Sequence, residues 1–345
     1  MRGKTRILIF GVNWLGDVLF STPTIRNIKY NFPSSFITCI VPWRCIPILE
    51  GNPSIDEIIS FDEKHQQHSL KEKLKFIRLI NSKRFDMVFL LHRSFTRALI
   101  CFLAGIPQRI GYATKKRGFL LTRRIKPIDY DSLHRIDYYL NMIERAGLKI
   151  YDRYPEFFID NKDIDYIKKF LEKEGVLDSE FLVGINPGAN WLPKRWPKDY
   201  WRELINRLTR NFSCKVIITG DEKDRYLAEE IACCFNTRKP ILASGLLNLK
   251  QFGALCKRLD LFISADTGPL HIANALKTKR IIALFGPTSL KTTSPYPLDN
   301  VLILQKDVGC RIPCYVKDCF DNRCMRVITP QEIVEVIEKA KIFKV

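Results

Sequence analysis

The stretch Asp266-Thr267-Gly268-Pro269, followed by His271, links an apolar run, Leu261 to Ala265, to a small-residue segment ending near Leu276. A helix starting there presents free N–H groups and a partial positive charge, which suits a phosphate. Gly268 lets the backbone approach closely, Thr267 adds a hydroxyl, and His271 lies in the first turn. The plainer reading is a capped helix packed on a sheet. In NPGANWLPKRWPKDYW, Asn186 to Trp201, the cations Lys194 and Arg195 are bracketed by Trp191 and Trp196. Cations held this way are positioned for a diphosphate, with Lys194 as a compact point charge. A basic surface loop is the alternative. GDEKDR, Gly220 to Arg225, sets Asp221, Glu222 and Asp224 after another apolar run. Such carboxylates accept hydrogen bonds from ribose hydroxyls, or simply occupy a first helical turn. Near the start, GVNWLGD places Asp17 where a helix begins. The helix dipole keeps that carboxylate charged, able to take a proton from a substrate hydroxyl; it reads equally as a helix N-cap. The loop is not GxGxxG, so the dinucleotide fingerprint is absent.

The elements that must position these residues alternate. Short apolar runs at Arg6–Phe10, Phe36–Val41, Ile55–Phe61 and Met87–Leu91 alternate with helical patterns at 18–30, 69–81 and about 95–103. Arg109 to Arg124 reads as a basic loop, and Leu133 to Ala146 as a helix. The rhythm breaks from Gly147 to about Glu180 and restarts with strands at 182–186, 215–219, near Ile241, 261–265 and 280–284. Helices are read at 198–210, 221–235, 249–258, about 269–276 and 330–340. Such alternation means βαβ units and parallel sheets. The expectation is an α/β protein of two Rossmann-like doubly wound domains, 1–165 and 178–345, facing a central cleft that holds the ligand. The last helix either closes the second half or crosses back to the first. Each candidate residue then follows a strand, at the sheet edge where open α/β sheets bind ligands.

At 345 residues with 46% apolar and 27% charged content, the chain is an ordinary folded protein of about two domains. No apolar run is long enough to span a bilayer, and the apolar part of the basic N-terminus is too short for a secretory signal; the expectation is a cytosolic protein. The net charge is +19. From Asp62 to Lys126 there are 16 Lys/Arg against 4 Asp/Glu, an excess of 12. That favours an anionic partner, although a solvated basic face gives the same count. Seven of the eleven cysteines are scattered, mostly in apolar segments, and read as buried reduced thiols. Cys310, Cys314, Cys319 and Cys324 are spaced C-x3-C-x4-C-x4-C, looser than usual zinc-ligand pairs.

NWLGDVLFSTPTIRNIKYNFP, RSFTRALICFLAGIPQRIGY, NPGANWLPKRWP and SADTGPLHIANAL followed by ALFGPT are long, ordered motifs spread over nearly the whole chain. In them the chain resembles the family 9 glycosyltransferases, the ADP-heptose–lipopolysaccharide heptosyltransferases, and most of all the type II members. The resemblance implies a GT-B fold and transfer of heptose from ADP-heptose to an inner-core acceptor of the lipid A–Kdo type, with inversion at the anomeric carbon. It implies Asp17 as general base. For the donor it implies Lys194 at the phosphates, the turn of Asp266, Thr267, Gly268 and His271, Asn190 as a polar contact, and Glu222 or Asp224 at the nucleoside. It implies no cofactor and no metal for the diphosphate, and a structural cysteine loop. The basic window then has an expected partner: Arg93, Arg97, Arg117 and Arg123 are read as ligands for acceptor phosphates or for the inner-leaflet membrane surface. The implied location is cytoplasmic, peripheral at the inner face of the inner membrane, with no nucleic-acid partner. Another nucleotide sugar or acceptor is the alternative within the family; a non-catalytic nucleic-acid or membrane binder is the alternative outside it.

Overall fold

The computed structural model describes residues 4–63 and 67–343. Lys64 of the basic window and the first residues of the basic N-terminus lie outside the described residues. The chain divides into two units, Met1–Phe158 and Ile159–Val345.

The first unit runs β1 (Arg6–Phe10), α1 (Leu15–Phe20), α2 (Thr22–Asn31), β2 (Phe36–Val41), α3 (Ile46–Leu49), β3 (Glu57–Ser60), α4 (Leu70–Ser82), β4 (Met87–Leu90), α5 (Phe95–Leu103), β5 (Gln108–Tyr112), β6 (Arg123–Ile125) and α6 (Arg135–Arg145). Its six strands lie in the order β3-β2-β1-β4-β5-β6. Ile7 to Phe10 pair in parallel with Ile37 to Ile40 on one side and Met87 to Leu90 on the other. A strand between two parallel neighbours, with helices on both faces, must be apolar almost throughout; RILIF is.

The second unit runs α7 (Asn161–Lys173), β7 (Phe181–Asn186), α8 (Lys198–Asn211), β8 (Cys214–Ile218), α9 (Arg225–Ala232), β9 (Ile241–Leu242), α10 (Leu249–Arg258), β10 (Leu261–Ala265), α11 (Gly268–Ala275), β11 (Ile281–Phe285), α12 (Leu290–Thr293), β12 (Val301–Gln305), α13 (Arg323–Arg326) and α14 (Pro330–Lys339). Its order is β12-β11-β10-β7-β8-β9. Counted from its own first strand, that is the arrangement of the first unit again. α7, read above as part of a connection, belongs to this unit and packs against α10. α14 packs against α8: Ile333, Val334 and Ile337 share a core with Trp201, Leu204 and Leu208. Burying one such side chain is worth roughly 1.5–3 kcal/mol, so this face, more than helical propensity, holds a helix of ten residues.

The helical pattern over 18–30 is two helices. Pro23 has no N–H to continue a ladder, and the chain breaks at Ser21, where Ser21 Oγ donates to Val18 O at 2.7 Å and Thr22 Oγ1 donates to Leu19 O at 2.8 Å. The sequence pattern places no strand at β5, β6 or β12: Arg109 to Arg124, read above as a basic loop, holds most of β5 and the start of β6, and β6 and β12 are the edge strands on one side of each sheet. β6 is only RRI, with no alternation to read.

Candidate active site

In both units the strand order reverses beside the first strand, and loops leaving such a reversal at the strands' C-terminal ends form a crevice. In the second unit the neighbours at the reversal are β7 and β10, with Ile185 opposite Ile263 and Asn186 opposite Ser264. The loops after them carry Lys194 and Asp266.

Asp266 is buried, and three side chains converge on it. Lys194 Nζ donates to Asp266 Oδ2 at 2.8 Å and to Asp266 O at 2.9 Å. His271 Nε2 lies 3.1 Å from Asp266 Oδ1, and Thr293 Oγ1 donates to Oδ2 at 3.2 Å. Burial by itself would raise the Asp266 carboxyl. The Lys194 charge and the bonds from His271 and Lys194 outweigh it and hold the group well below the usual carboxylate range. An ionised carboxylate only accepts, so His271 donates through Nε2–H. Thr267 takes the N-cap position of α11 in extended backbone, with its hydroxyl 3.1 Å from Ser264 Oγ, and Gly268 is the first helical residue.

The lysine loop is anchored at one end. Trp196 does not flank the cations. It is buried, packs edge-on to Trp201 at 4.8 Å and donates its indole N–H to Ile328 O at 2.8 Å. Trp191 does flank Lys194, with Nζ 5.9 Å from its ring centre. Asn190 is exposed in the same loop. Asn322, within the cysteine-bearing segment, donates from Nδ2 to Arg195 O at 2.8 Å.

The acidic loop after β8 separates its two candidates. Asp224 is turned inward. Its side chain is 13% exposed, pairs with Arg195 at 3.5 Å and accepts from Asp221 N at 3.3 Å. Burial first, then Asp221, raises its carboxyl above the ordinary value. It lies over Gly188, where an added Cβ would come within 2.1 Å of Asp224 Oδ2, so a larger residue there would have to push the Asp224 carboxylate aside. Glu222 is 69% exposed and touches only Arg225, at 2.8 Å, among its ion-pair partners in the described residues.

In the first unit the reversal lies between β1 and β4. Asp17 is the third residue of α1, in its first turn and half-buried. Trp14 holds the N-cap position, with no side-chain cap bond, so Asp17 is not the cap. α1 packs against α6, and the Asp17 charge reaches Tyr130, Tyr139 and Arg135. Burial first, and Asp17 next, push the Tyr130 hydroxyl up to about 12 and raise that of Tyr139 well above its ordinary value. Two guanidinium groups share the Tyr130 ring, Arg135 at 3.4 Å and Arg93 at 4.0 Å from its centre. Arg135 also pairs with Asp131 at 2.8 Å. Arg93 makes no ion pair among the described residues.

Two of the four arginines read as surface ligands are interior, which corrects that expectation. Arg97 is buried and donates to Gly11 O and Asn13 Oδ1, over the Phe10 ring. Arg117 is fully buried and donates to the carbonyls of Tyr112, His92 and Ser94. A guanidinium carries five donors and can bond several loop oxygens at once; Arg97 does so after β1, and Arg117 after β4 and at the end of β5. Burial pushes both down to about 10, so both stay charged at neutral pH. Burial, then Arg97, Arg117, Lys115 and Arg93, push His92 down to about 3. Neutral His92 accepts from Ser94 N at 3.0 Å through Nδ1 and lies 3.4 Å from Asn13 Nδ2. Arg123 is exposed, but it begins β6, three strands from β1, so the structure does not bring it to Asp17.

His92, Tyr130, Arg135 and Thr293 were not singled out as site residues from sequence. His92 alone left a signal, in His92-Arg93-Ser94 directly after a strand that the Rossmann order sets beside β1. Of the scattered cysteines, Cys39, Cys45, Cys101 and Cys256 are buried, Cys214 is half-buried, and Cys233 and Cys234 are exposed, against expectation. Among the described residues, no group of three or more His, Cys, Asp or Glu is placed to hold a metal ion.

Comparison with known proteins gives this arrangement a family. The profile of glycosyltransferase family 9 (heptosyltransferase) matches residues 73–323. The lipooligosaccharide heptosyltransferase 2 of Haemophilus ducreyi is 30% identical over 88% of this chain and 90% of its own. Among solved structures, the family 9 glycosyl transferase of Veillonella parvula superposes with a TM-score of 0.85 at 23% identity, covering 98% of both chains. The ADP-heptose lps heptosyltransferase II of E. coli superposes with a TM-score of 0.80 at 24% identity, covering 97% of this chain and 98% of that one. The fold is therefore GT-B, and the chain belongs to glycosyltransferase family 9, the heptosyltransferase family.

Proposed function

We propose that this glycosyltransferase moves a heptose from ADP-heptose to the inner core of lipopolysaccharide, inverting the anomeric carbon, with Asp17 as general base. The named activities of its relatives support the substrates. The observation that carries the mechanism is the complementary chemistry at the two strand-order reversals: a first-turn carboxylate in one unit, and a helix start with a poised lysine in the other.

The second unit takes the donor. Lys194 turns from Asp266 to the diphosphate, joined by Thr267, Gly268 and the N-terminus of α11. Asp266 is too buried to touch the ligand; it orders Lys194 and His271. Asn190 and Glu222, both exposed, meet the donor, with Glu222 at the ribose hydroxyls, because Asp224 is committed to Asp221 and Arg195. The first unit takes the acceptor. Arg93, clamped on Tyr130 and without an ion pair, receives an anionic group of the acceptor. Asp17 takes the proton of the attacking hydroxyl as its oxygen bonds to the anomeric carbon. The bond to the diphosphate breaks on the opposite face, and ADP leaves with the electron pair. The enzyme works at the inner face of the inner membrane, where lipid-linked acceptor is made.

Replacing Asp17 by Asn tests this. General-base catalysis is worth about two to four orders of magnitude in rate. Asp17→Asn should lose that much turnover with ADP-heptose and a lipid-linked inner-core acceptor while binding ADP as wild type does. Full activity in the variant removes Asp17 as the base. A wild-type enzyme that binds ADP yet is inert with ADP-heptose uses another sugar.

A further inference from the structure

Three neighbouring pieces of the first unit expose apolar side chains at one edge of its sheet. α4 packs on α5, and α5 packs on the turn Arg117–Leu120. A helix that follows a parallel strand starts beyond that strand's C-terminal end. Leu70 at the start of α4, Phe95 at the start of α5 and Phe119 in the turn after β5 therefore share the edge that carries Asp17. Leu70 is 74% and Phe119 65% exposed, and the Phe95 and Phe119 rings meet at 6.1 Å. Cations interleave with them. Lys71, Lys75 and Arg78 line one shallow depression with Leu70 and Leu74. Lys115 and Lys116, both exposed, directly precede the Phe119 turn. Glu72 offsets only Lys75, at 3.1 Å. Lys115 and Lys116 have φ of 50° and 59°, a left-handed pair that non-glycine residues rarely adopt. Strained backbone of this kind persists where the surroundings hold it, often at functional surfaces.

A single exposed leucine needs no explanation. Four apolar side chains set among five cations, from this edge along α4 as far as Arg78, have a common one. We propose that this edge docks on an anionic lipid bilayer, with Leu70, Leu74, Phe95 and Phe119 entering the headgroup–acyl boundary and the cations meeting lipid phosphates. Leucines do not stack on bases, and a single-strand binder would present aromatics along a basic groove, so a lipid surface fits better than nucleic acid. No helix among the described residues is long and apolar enough to cross a membrane; the contact is peripheral. The docking rests on the proposed lipid-linked acceptor only for its purpose: it brings the Asp17 edge to the surface from which such an acceptor projects.

Co-sedimentation with vesicles of phosphatidylcholine alone, and of phosphatidylcholine with phosphatidylglycerol, tests the proposal apart from catalysis. Wild type should bind the anionic vesicles and bind the neutral ones much more weakly. Each lysine near such a surface is worth roughly fivefold in affinity, so Lys115→Glu/Lys116→Glu should lose at least tenfold. Leu70→Ser/Phe119→Ser should lose a similar factor. Both variants should turn over a delipidated, soluble acceptor as wild type does, which shows them folded. Wild type that ignores anionic vesicles, or variants that bind them as wild type does, overturns the proposal. So does wild-type binding to a single-stranded oligonucleotide that these substitutions abolish while vesicle binding persists. If wild type turns over no acceptor at all, the transferase reading fails and vesicle binding still decides the docking.

Discussion

The two units share a strand order and differ in the charge they bury at its reversal. The second buries an anion, Asp266, and gathers Lys194, His271 and Thr293 around it. The first buries two cations, Arg97 and Arg117, and holds them with uncharged oxygens of its own loops. A buried charge needs a counter-charge or hydrogen bonds; the second unit uses a counter-charge, and the first uses hydrogen bonds, leaving Arg97 Nε and Arg117 Nη2 without a partner among the described residues. The consequence differs. Pairing leaves the second crevice near neutral, so a ligand phosphate enters by sharing a lysine already held in place. Hydrogen bonding to loop oxygens leaves Arg97 and Arg117 without an ion pair among the described residues; burial first, and these charges next, keep His92 uncharged, and the charge suits the anion proposed at Arg93.

Breaking the pair in the second unit should have the largest effect on stability. Asp266→Asn leaves Lys194 without its counter-charge, and removing one partner of a buried pair costs about 3 kcal/mol. Thermal unfolding should show the loss in the transition of the second unit, together with weaker ADP binding. An unchanged unfolding curve would mean that the anion does not organise this crevice. Acid should probe the first unit. His92 has a folded value of about 3 against an ordinary value near 6.5. A depressed value contributes stability that is present above the unfolded value and is lost as the pH falls through that window. Between pH 7 and 5 the loss is about 2 kcal/mol. His92→Gln should remove that part of the pH dependence, and a wild-type-like acid profile in the variant would show that His92 does not set it. The smallest contrast lies within the acidic loop. Glu222→Gln should raise the Kd for ADP about tenfold, the value of one charge-assisted hydrogen bond, with stability unchanged. Asp224→Ala should cost about 1 kcal/mol through the lost capping-box bond to Asp221 N. Calorimetry on the pair sharpens the assignment, and the reverse outcome would exchange their roles.

The sequence carried these two solutions unequally. The unit from Leu261 to Phe285 was readable almost to the residue, because both strands are buried throughout and Pro269 marks the helix start. Lys194 and Asp266 were each singled out as candidates, although nothing in the sequence joined them across 72 positions. The first unit was harder. An arginine in a basic window looks solvent-facing, and the carbonyls that hold Arg97 and Arg117 inside belong to loops distant in sequence. Tyr130 and Arg135 lay in segments without a strand-end pattern. α1 begins before Asp17 because Trp14 occupies the cap position without a capping side chain, so the usual start signal was missing.

The indole bond from Trp196 to Ile328 spans 132 residues, and it bears on how the enzyme comes into being. Domains fold as units during synthesis, N-terminal first, so the first unit can close while the ribosome is still making the second. The lysine loop cannot be fastened until Ile328 has left the exit tunnel. Chains cut short before that point would carry Lys194 and Asp266 and still lack a firmly held lysine loop, so the first unit would be finished before the crevice of the second is.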